Sequence, residues 1–287
     1  MRSAINLMVF AVVLSGIGPV LVRESPVDPA ATAFWRLFIG LPVALLLIRR
    51  SVMLPPRAMV WVAVAGLLLS GDLVFWNSAL MRTTILEATV LVMVYPVIAA
   101  VAGYFVFKER ITPRLAAGGG IAFLGLLLMM IRSSGGGDSS LAGDLMAIAA
   151  AFFYTGSLLI SARLCRAYDT QIVSFWLILW ASVGAAPVAL LEQRTFPVTG
   201  AGWAYIIGYA GITLASYSLF NRGLKLVPTG IASLMGYGQP VVASLLGFLF
   251  LKETPSWNGI AGGIVIILGL VLATRQPRGD GVPKPVG

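Results

Sequence analysis

Apolar runs of about 20 residues alternate with short polar clusters along the whole chain. A helix of about that length crosses the ~30 Å hydrocarbon core of a bilayer. The pattern therefore predicts an all-α integral membrane fold, because the strands of a membrane β-barrel alternate over only ~10 residues. The ten predicted transmembrane helices cover residues 4–22, 30–49, 58–80, 86–107, 112–131, 141–163, 170–191, 201–222, 228–251 and 255–273.

The second half of the chain repeats part of the first. At an offset of 144 positions, 13 of the 36 residues in 93–128 are identical to those in 237–272. Because each half has an odd number of predicted helices, we expect two inverted repeats, as in many secondary transporters. The predicted units are a five-helix repeat at 1–131, a linker at 132–140, a five-helix repeat at 141–274 and a disordered cytoplasmic tail at 275–287.

Composition supports a membrane protein and argues against several kinds of chemistry. The 287 residues are 59% hydrophobic and 11% charged, whereas soluble domains carry roughly 25% charge. With one cysteine and no histidine, an internal disulfide is impossible, and no metal or other cofactor is expected. The net charge of +9 does not indicate a nucleic-acid partner, since the basic residues lie at the ends of the predicted helices.

The distribution of Lys and Arg predicts the orientation. One side of the predicted topology carries 14 of them and the other carries 6. The positive-inside rule then places both termini in the cytoplasm of a multi-pass protein of the bacterial inner membrane. An alternative treats the first helix as a signal peptide cleaved near Ala31-Thr32-Ala33, which would leave the helix at 141–163 without a repeat partner.

The chain resembles the drug/metabolite transporter superfamily. The resemblance rests on Phe34-Trp35-Arg36 at the start of the second helix, Pro96 in the fourth, and Lys108-Glu109 before the fifth. The EamA-like ten-helix branch fits best, and within it the aromatic amino acid exporters. This resemblance implies export of amino acids, other metabolites or drugs, without enzymatic activity. It also implies function as a monomer, because the chain carries both halves itself.

Two prolines at equivalent positions are candidate hinges. Pro96 and Pro240 each remove a backbone hydrogen bond from an apolar helix, so they predict either paired hinges or packing kinks. Tyr95 and Gln239 precede them, and Tyr237 lies half a turn from Gln239. These three side chains are candidates for hydrogen bonds to a substrate or, alternatively, to neighbouring helices.

A second group of candidates lies in the other predicted helices. Asp72 is an acid within an apolar helix, so it is expected to bind a substrate ammonium or a proton, or to form an ion pair with Arg36. Trp76 shares its helix face, and Trp180 is an equally deep candidate for stacking on an aromatic ligand. The remaining substrate-binding candidates are Asn77, Tyr154, Tyr217 and Asn221.

The leading functional hypothesis is a secondary transporter that exports or equilibrates small metabolites, with neutral and aromatic amino acids favoured. A sugar-phosphate, nucleotide-sugar or drug transporter of the same superfamily is the alternative, although phosphate requires inward-facing Lys or Arg, and the middle parts of the predicted helices contain none. A membrane-embedded lipid enzyme is a remote alternative, because the chain has no histidine and its acids are scattered. The expected partners are the small-molecule substrate and the lipid bilayer.

Overall fold

The computed structural model describes residues 2–48, 52–83, 85–108, 111–130, 140–251 and 257–274. Within these ranges it consists of helices joined by loops and turns, without strands. The predicted linker and tail fall outside these ranges, apart from Ser140, which caps a helix. The helices are α1 (Arg2–Gly16), α2 (Gly18–Arg23), α3 (Pro29–Phe38), α4 (Gly40–Leu46), α5 (Pro56–Leu80), α6 (Ile85–Val92), α7 (Tyr95–Phe107), α8 (Pro113–Met130), α9 (Leu141–Ala167), α10 (Thr170–Leu191), α11 (Gly200–Leu224), α12 (Thr229–Leu234), α13 (Gly238–Leu251) and α14 (Trp257–Thr274), with a 3₁₀ turn at Met235–Tyr237.

Length and hydropathy support a multi-pass membrane protein. Of the described helical stretches, 7 are long and apolar enough to cross a membrane. Their outward surface is also apolar, as shown by Phe105 and Leu191, which are 73% and 86% exposed. A surface of this kind is favourable in contact with lipid and costly in water. The candidate spans are Ala4–Arg23, Pro29–Leu46, Pro56–Leu80, Ala88–Phe107, Leu141–Ala167, Thr170–Leu191 and Trp257–Thr274.

Several apolar stretches are broken near their middle rather than continuous. α6 ends at Val92 and α7 begins at Tyr95, and the 3₁₀ turn separates α12 from α13 at the repeat-equivalent place. Sequence analysis placed Pro96 and Pro240 inside continuous helices, whereas the structure places both in the first turn of a new helix. The first turn suits proline, since the amide N–H that proline lacks has no partner there.

Glycines join α8 to α14 at very short range. A Cβ added to Gly118 would lie 2.6 Å from the Gly269 carbonyl oxygen, and one added to Gly125 would lie 2.7 Å from that of Gly262. The contacts are reciprocal. A Cβ added to Gly269 would lie 2.6 Å from the Gly118 carbonyl oxygen, and one added to Gly262 would lie 2.5 Å from that of Gly125. Only glycine permits two helix backbones to approach this closely. We call this contact between α8 and α14 the glycine crossing. It joins the two halves of a single chain.

A capped helix end also joins the first half of the chain (residues 2–130) to the second (140–274). The carboxylate of Glu192 accepts the backbone N–H groups of Ala30 at 3.0 Å and Ala31 at 2.8 Å, so it caps α3 from the other half. Beside it, Arg194 Nε pairs with Asp28 at 2.9 Å.

Two tryptophans at repeat-equivalent positions also bridge the halves. Trp35 Nε1 donates to the Thr195 carbonyl and Trp176 Nε1 donates to the Val52 carbonyl, each at 2.7 Å. Each indole therefore tethers its own helix to a loop of the opposite half, in addition to any role in anchoring at the membrane interface.

Candidate functional site

A cavity of about 120 Å³ lies between the halves, lined by both. The breaks bring Val92, Met93, Tyr95 and Gln239 to its wall. α11 contributes one continuous face, because its lining residues recur at helical spacing. The lining residues of α11 are Tyr209, Ile212, Thr213, Ser216, Tyr217 and Phe220.

Asp72 is the acidic group of the cavity. It is 7% exposed and lies on α5, one turn from Trp76, and both residues line the cavity. Asp72 makes no hydrogen bond and no ion pair with any residue in the part of the chain that the structure describes. A carboxyl group with so little contact with water is costly unless it finds a partner. A bound cation, an ammonium group or a proton would supply one.

Arg36 is the basic group of the same cavity. Its Nη1 donates to the hydroxyl of Tyr209, and its Nε has no hydrogen-bond partner among the described residues. No direct ion pair joins it to Asp72 within the described ranges; Arg36 donates to Tyr209 instead, but the two charges remain close enough to attract each other. Arg36 lines the cavity although it lies near the start of its predicted helix and not in the middle. The cavity thus holds one cationic and one acidic side chain that are not bonded to each other.

Aromatic side chains make up much of the remaining wall. The rings of Tyr95 and Tyr154 meet edge to face at 4.6 Å, and Tyr217 and Trp76 also line the cavity. The Tyr95 hydroxyl lies against Gly236 of the 3₁₀ turn, where an added Cβ would overlap it. Trp76 Nε1 and the Tyr95 hydroxyl are buried without a hydrogen-bond partner among the described residues. The rings thus line the cavity, whereas these two polar atoms are enclosed by the protein.

Four candidate binding residues lie away from this cavity. Asn77 donates to the Pro29 carbonyl at 2.8 Å, and Asn221 donates to the Ser174 hydroxyl at 2.9 Å. Each asparagine thereby joins two packed helices, the first pair being α5 and α3 and the second α11 and α10. Trp180 packs against Gly66 of α5, and Tyr237 is fully buried in the 3₁₀ turn near the ring of Phe123.

Sequence reasoning missed several lining residues. Tyr209 and Ser216 were not singled out, although their spacing with Tyr217 places them on one helix face. Ser216 bonds to the Ser15 hydroxyl at 2.6 Å and donates to the Ala11 carbonyl at 3.0 Å, so it also fastens α11 to α1. Arg36 was considered only as a partner of Asp72, since nothing in the sequence tells which way its side chain turns.

A buried, mixed-polarity cavity between the two halves of a multi-pass helical protein is the arrangement of a transporter. Comparison with known families agrees: the model of the EamA-like transporter family matches residues 2–131 and again residues 141–275. The chain belongs to that family.

Individual relatives are distant but cover most of the chain. An uncharacterised transporter of Bacillus subtilis is 29% identical over 262 residues, which is 87% of this chain and 86% of the relative. A pseudopaline exporter of Pseudomonas aeruginosa is 23% identical and covers 97% of this chain and 98% of its own length. An aromatic amino acid exporter of Ancylobacter novellus is 26% identical and covers 76% of this chain and 77% of its own length.

A solved crystal structure has the same fold. It superposes with a TM-score of 0.80 at 24% identity and covers 96% of this chain and 97% of that chain.

Proposed function

We propose that this protein is a secondary transporter that exports or equilibrates neutral amino acids, aromatic ones among them, across the bacterial cytoplasmic membrane. The observation that carries the proposal is that Arg36 and Asp72 line one cavity without being bonded to each other. An amino acid presents a carboxylate and an ammonium group, so it complements both side chains at once. A ligand of single charge would leave one of them without a partner, at a free-energy cost.

The binding mode follows from the neighbours of the two charges. The carboxylate of the substrate binds Arg36 beside the Tyr209 hydroxyl, and its ammonium binds Asp72. Trp76, Tyr95 and Tyr154 provide ring surfaces for its side chain, which supports aromatic substrates. Among the relatives, one is named for the export of aromatic amino acids and one for the export of pseudopaline, and neither name transfers to this chain without a transport measurement.

The proposed mechanism is alternating access with hinges at Pro96 and Pro240. Both prolines begin helices that follow a break, and Met93, Tyr95 and Gln239 at these breaks line the cavity. At the first break, the amides of Met93 and Val94 donate to carbonyls three residues earlier, a turn with poorer hydrogen-bond geometry than the α-helix. Dihedral angles can therefore change there at lower cost than inside a continuous helix. Bending there would change which end of the cavity is open while the substrate stays bound between the halves.

The proposed topology is ten membrane-spanning helices in two inverted repeats of five, with both termini in the cytoplasm. Three features support it. The family model matches each half once, the helix breaks lie at equivalent positions, and the contacts across the glycine crossing interchange when the halves are exchanged.

A sugar-phosphate or nucleotide-sugar transporter remains the second candidate, because Arg36 faces the cavity and could bind a phosphate. Asp72 in the same cavity disfavours it, since a phosphate carries more negative charge than one arginine neutralises.

The test is counterflow of labelled tryptophan, phenylalanine, methionine and threonine into proteoliposomes. We expect saturable exchange, with tryptophan and phenylalanine preferred. Tryptamine, which lacks the carboxylate, and indole-3-propionate, which lacks the ammonium, should compete poorly with tryptophan. Absence of exchange with all four amino acids, in vesicles shown to contain folded protein, would overturn the proposal.

Two variants test which side chain binds the carboxylate of the substrate and which binds its ammonium group. Arg36→Gln should lose its discrimination against tryptamine, and Asp72→Asn should lose its discrimination against indole-3-propionate. Arg222→Gln is the matched control, because Arg222 is exposed at the end of α11 and does not line the cavity. Comparing the transport rate at several pH values in the natural chain and in Asp72→Asn separates proton exchange from facilitated diffusion.

A further inference from the structure

A second cavity of about 680 Å³ opens between the start of α5 and the ends of α7 and α9. Two exposed arginines line it, Arg57 from the first turn of α5 and Arg163 from the last turns of α9. Neither makes a hydrogen bond or an ion pair with any of the described residues. Of the described residues that line this basic groove, none is acidic.

The wall of the basic groove changes from charged to apolar along the helices. On α9, Arg163 is followed one turn further in by Leu159 and Ile160, and two turns further in by Gly156. At 1.5 Å per residue, this face runs roughly 10 Å from the arginine to the glycine. Across the groove, Trp61 lies one turn further in than Arg57, so both helices place a cation at the outer end and apolar groups beneath.

The end of α7 closes the third side of the groove. Phe107 is its last helical residue, and the guanidinium of Arg166 lies 4.9 Å from the centre of its ring. Arg166 belongs to α9, so this contact packs Phe107 against that helix. The next residue, Lys108, ends α7 in the left-handed conformation, at φ 54°. The groove is therefore bounded by three helix ends.

We propose that the basic groove binds an anionic phospholipid. The phosphate lies between Arg57 and Arg163, and an acyl chain lies along Trp61, Leu159 and Ile160. Charge selects the headgroup, since two arginines with no acidic partner among the described residues attract an anion. The apolar side chains beneath the two arginines can contact an acyl chain. A free phosphate ion has no acyl chain, so the groove favours a lipid. This site is separate from the substrate cavity, and it rests on the membrane location and not on the identity of the substrate.

The orientation predicted from Lys and Arg puts these helix ends at the cytoplasmic face. Anionic lipids make the surface potential of that leaflet negative, and juxtamembrane basic residues bind there. A lipid held against α5, α7 and α9 would touch both halves of the chain.

The test is native mass spectrometry of the full chain with equal amounts of phosphatidylglycerol and phosphatidylcholine of the same acyl chains. We expect phosphatidylglycerol to be retained preferentially. In the Arg57→Gln/Arg163→Gln variant, this preference should fall by about fivefold for each arginine. The control, Arg114→Gln/Arg222→Gln, has the same change in net charge at exposed positions outside the groove and should keep the preference.

Two competitors without acyl chains test whether the basic groove binds a phospholipid or only a phosphate group. Inorganic phosphate and glycerophosphoglycerol, which has no acyl chains, should fail to displace the lipid. Displacement by either, or an unchanged preference in the glutamine variant, would overturn the proposal.

A measurement on the natural sequence covers the case in which the glutamine variant does not fold. Phosphatidylglycerol brominated on its acyl chains should quench Trp61 more than brominated phosphatidylcholine does. The Trp61 contribution is the difference between the natural chain and Trp61→Phe. Equal quenching by both lipids would count against the site.

Discussion

The glycine crossing and the substrate cavity join the same two halves in opposite ways. At the crossing, α8 and α14 are in backbone contact, with no room for a Cβ on Gly118 or Gly125. At the cavity, α7 and α13 begin after breaks, and Asp72 and Arg36 face a space of about 120 Å³. Close packing supplies stability, whereas cavities and polar groups without partners reduce it.

The difference indicates where each half is rigid and where it can bend. A contact between two backbones cannot slide without a clash, so α8 and α14 are expected to move together as one unit. The cavity wall has no such constraint at the breaks beside Tyr95 and Gln239. Substitutions in the two regions should therefore affect different measurements.

The largest expected effect is on transport by cavity variants. Arg36→Gln and Asp72→Asn should each raise the substrate concentration for half-maximal exchange by about 10- to 100-fold, because each removes a hydrogen bond to a charged group of the substrate. Their thermal midpoints should stay close to that of the natural chain. A large loss of stability with unchanged transport would make the two residues structural.

The next effect is on stability, at the glycine crossing. Gly125→Ala or Gly269→Ala should lower the free energy of unfolding by about 1–3 kcal/mol, since the atoms opposite the new methyl group belong to the backbone and cannot move aside. Gly120→Ala is the control, because nothing lies within 4 Å of an added Cβ there. Thermal unfolding in detergent measures both. Equal midpoints would contradict the close contact.

A smaller effect is expected at the hinge. Pro240→Ala removes the ring that separates α13 from the preceding turn, so the two can join into a straighter helix, and exchange should slow several-fold while half-saturation changes little. The matched control is Pro187→Ala, because Pro187 lies inside the continuous helix α10 and away from the cavity. If Pro187→Ala slowed exchange as much as Pro240→Ala, the hinge would have no special role.

The smallest effect is expected at the two bridging tryptophans. Trp35→Phe and Trp176→Phe each remove one neutral hydrogen bond to a loop of the other half, worth about 1 kcal/mol. Equal changes in thermal midpoint would agree with equivalent roles. A loss confined to Trp35→Phe would show that the neighbouring contacts of Glu192 and Arg194 make that side stiffer.

Helices were predictable from the sequence where apolar length alone decides them. The expected ranges 58–80 and 170–191 agree closely with α5 and α10. The breaks at Ile17 and Ile39 were not predicted, although a glycine and a proline follow each of them, as Gly18-Pro19 and as Gly40-Leu41-Pro42. Whether a proline ends a helix or lies inside a continuous one, as Pro187 does in α10, depends on packing as well as on the local pattern.

The cavity was predictable only in part, for a related reason. Asp72 and Trp76 could be found because an acid in an apolar helix is unusual and a residue four positions away shares its face. Asn77 and Asn221 were equally polar and equally deep, yet they bond to neighbouring helices. Which buried polar group meets a partner, and which meets open space, depends on how each helix is rotated within the bundle.

The reciprocal contacts of the glycine crossing also bear on the origin of the fold. Gly118 meets Gly269 while Gly262 meets Gly125, and the offset of 144 exchanges one contact for the other. In a symmetric homodimer such a contact is isologous, since each partner uses the same patch. Two identical five-helix chains could therefore have met through these glycines. A gene duplication and fusion would then have kept this contact between the halves. Later sequence divergence would have changed mainly the residues that line the cavity.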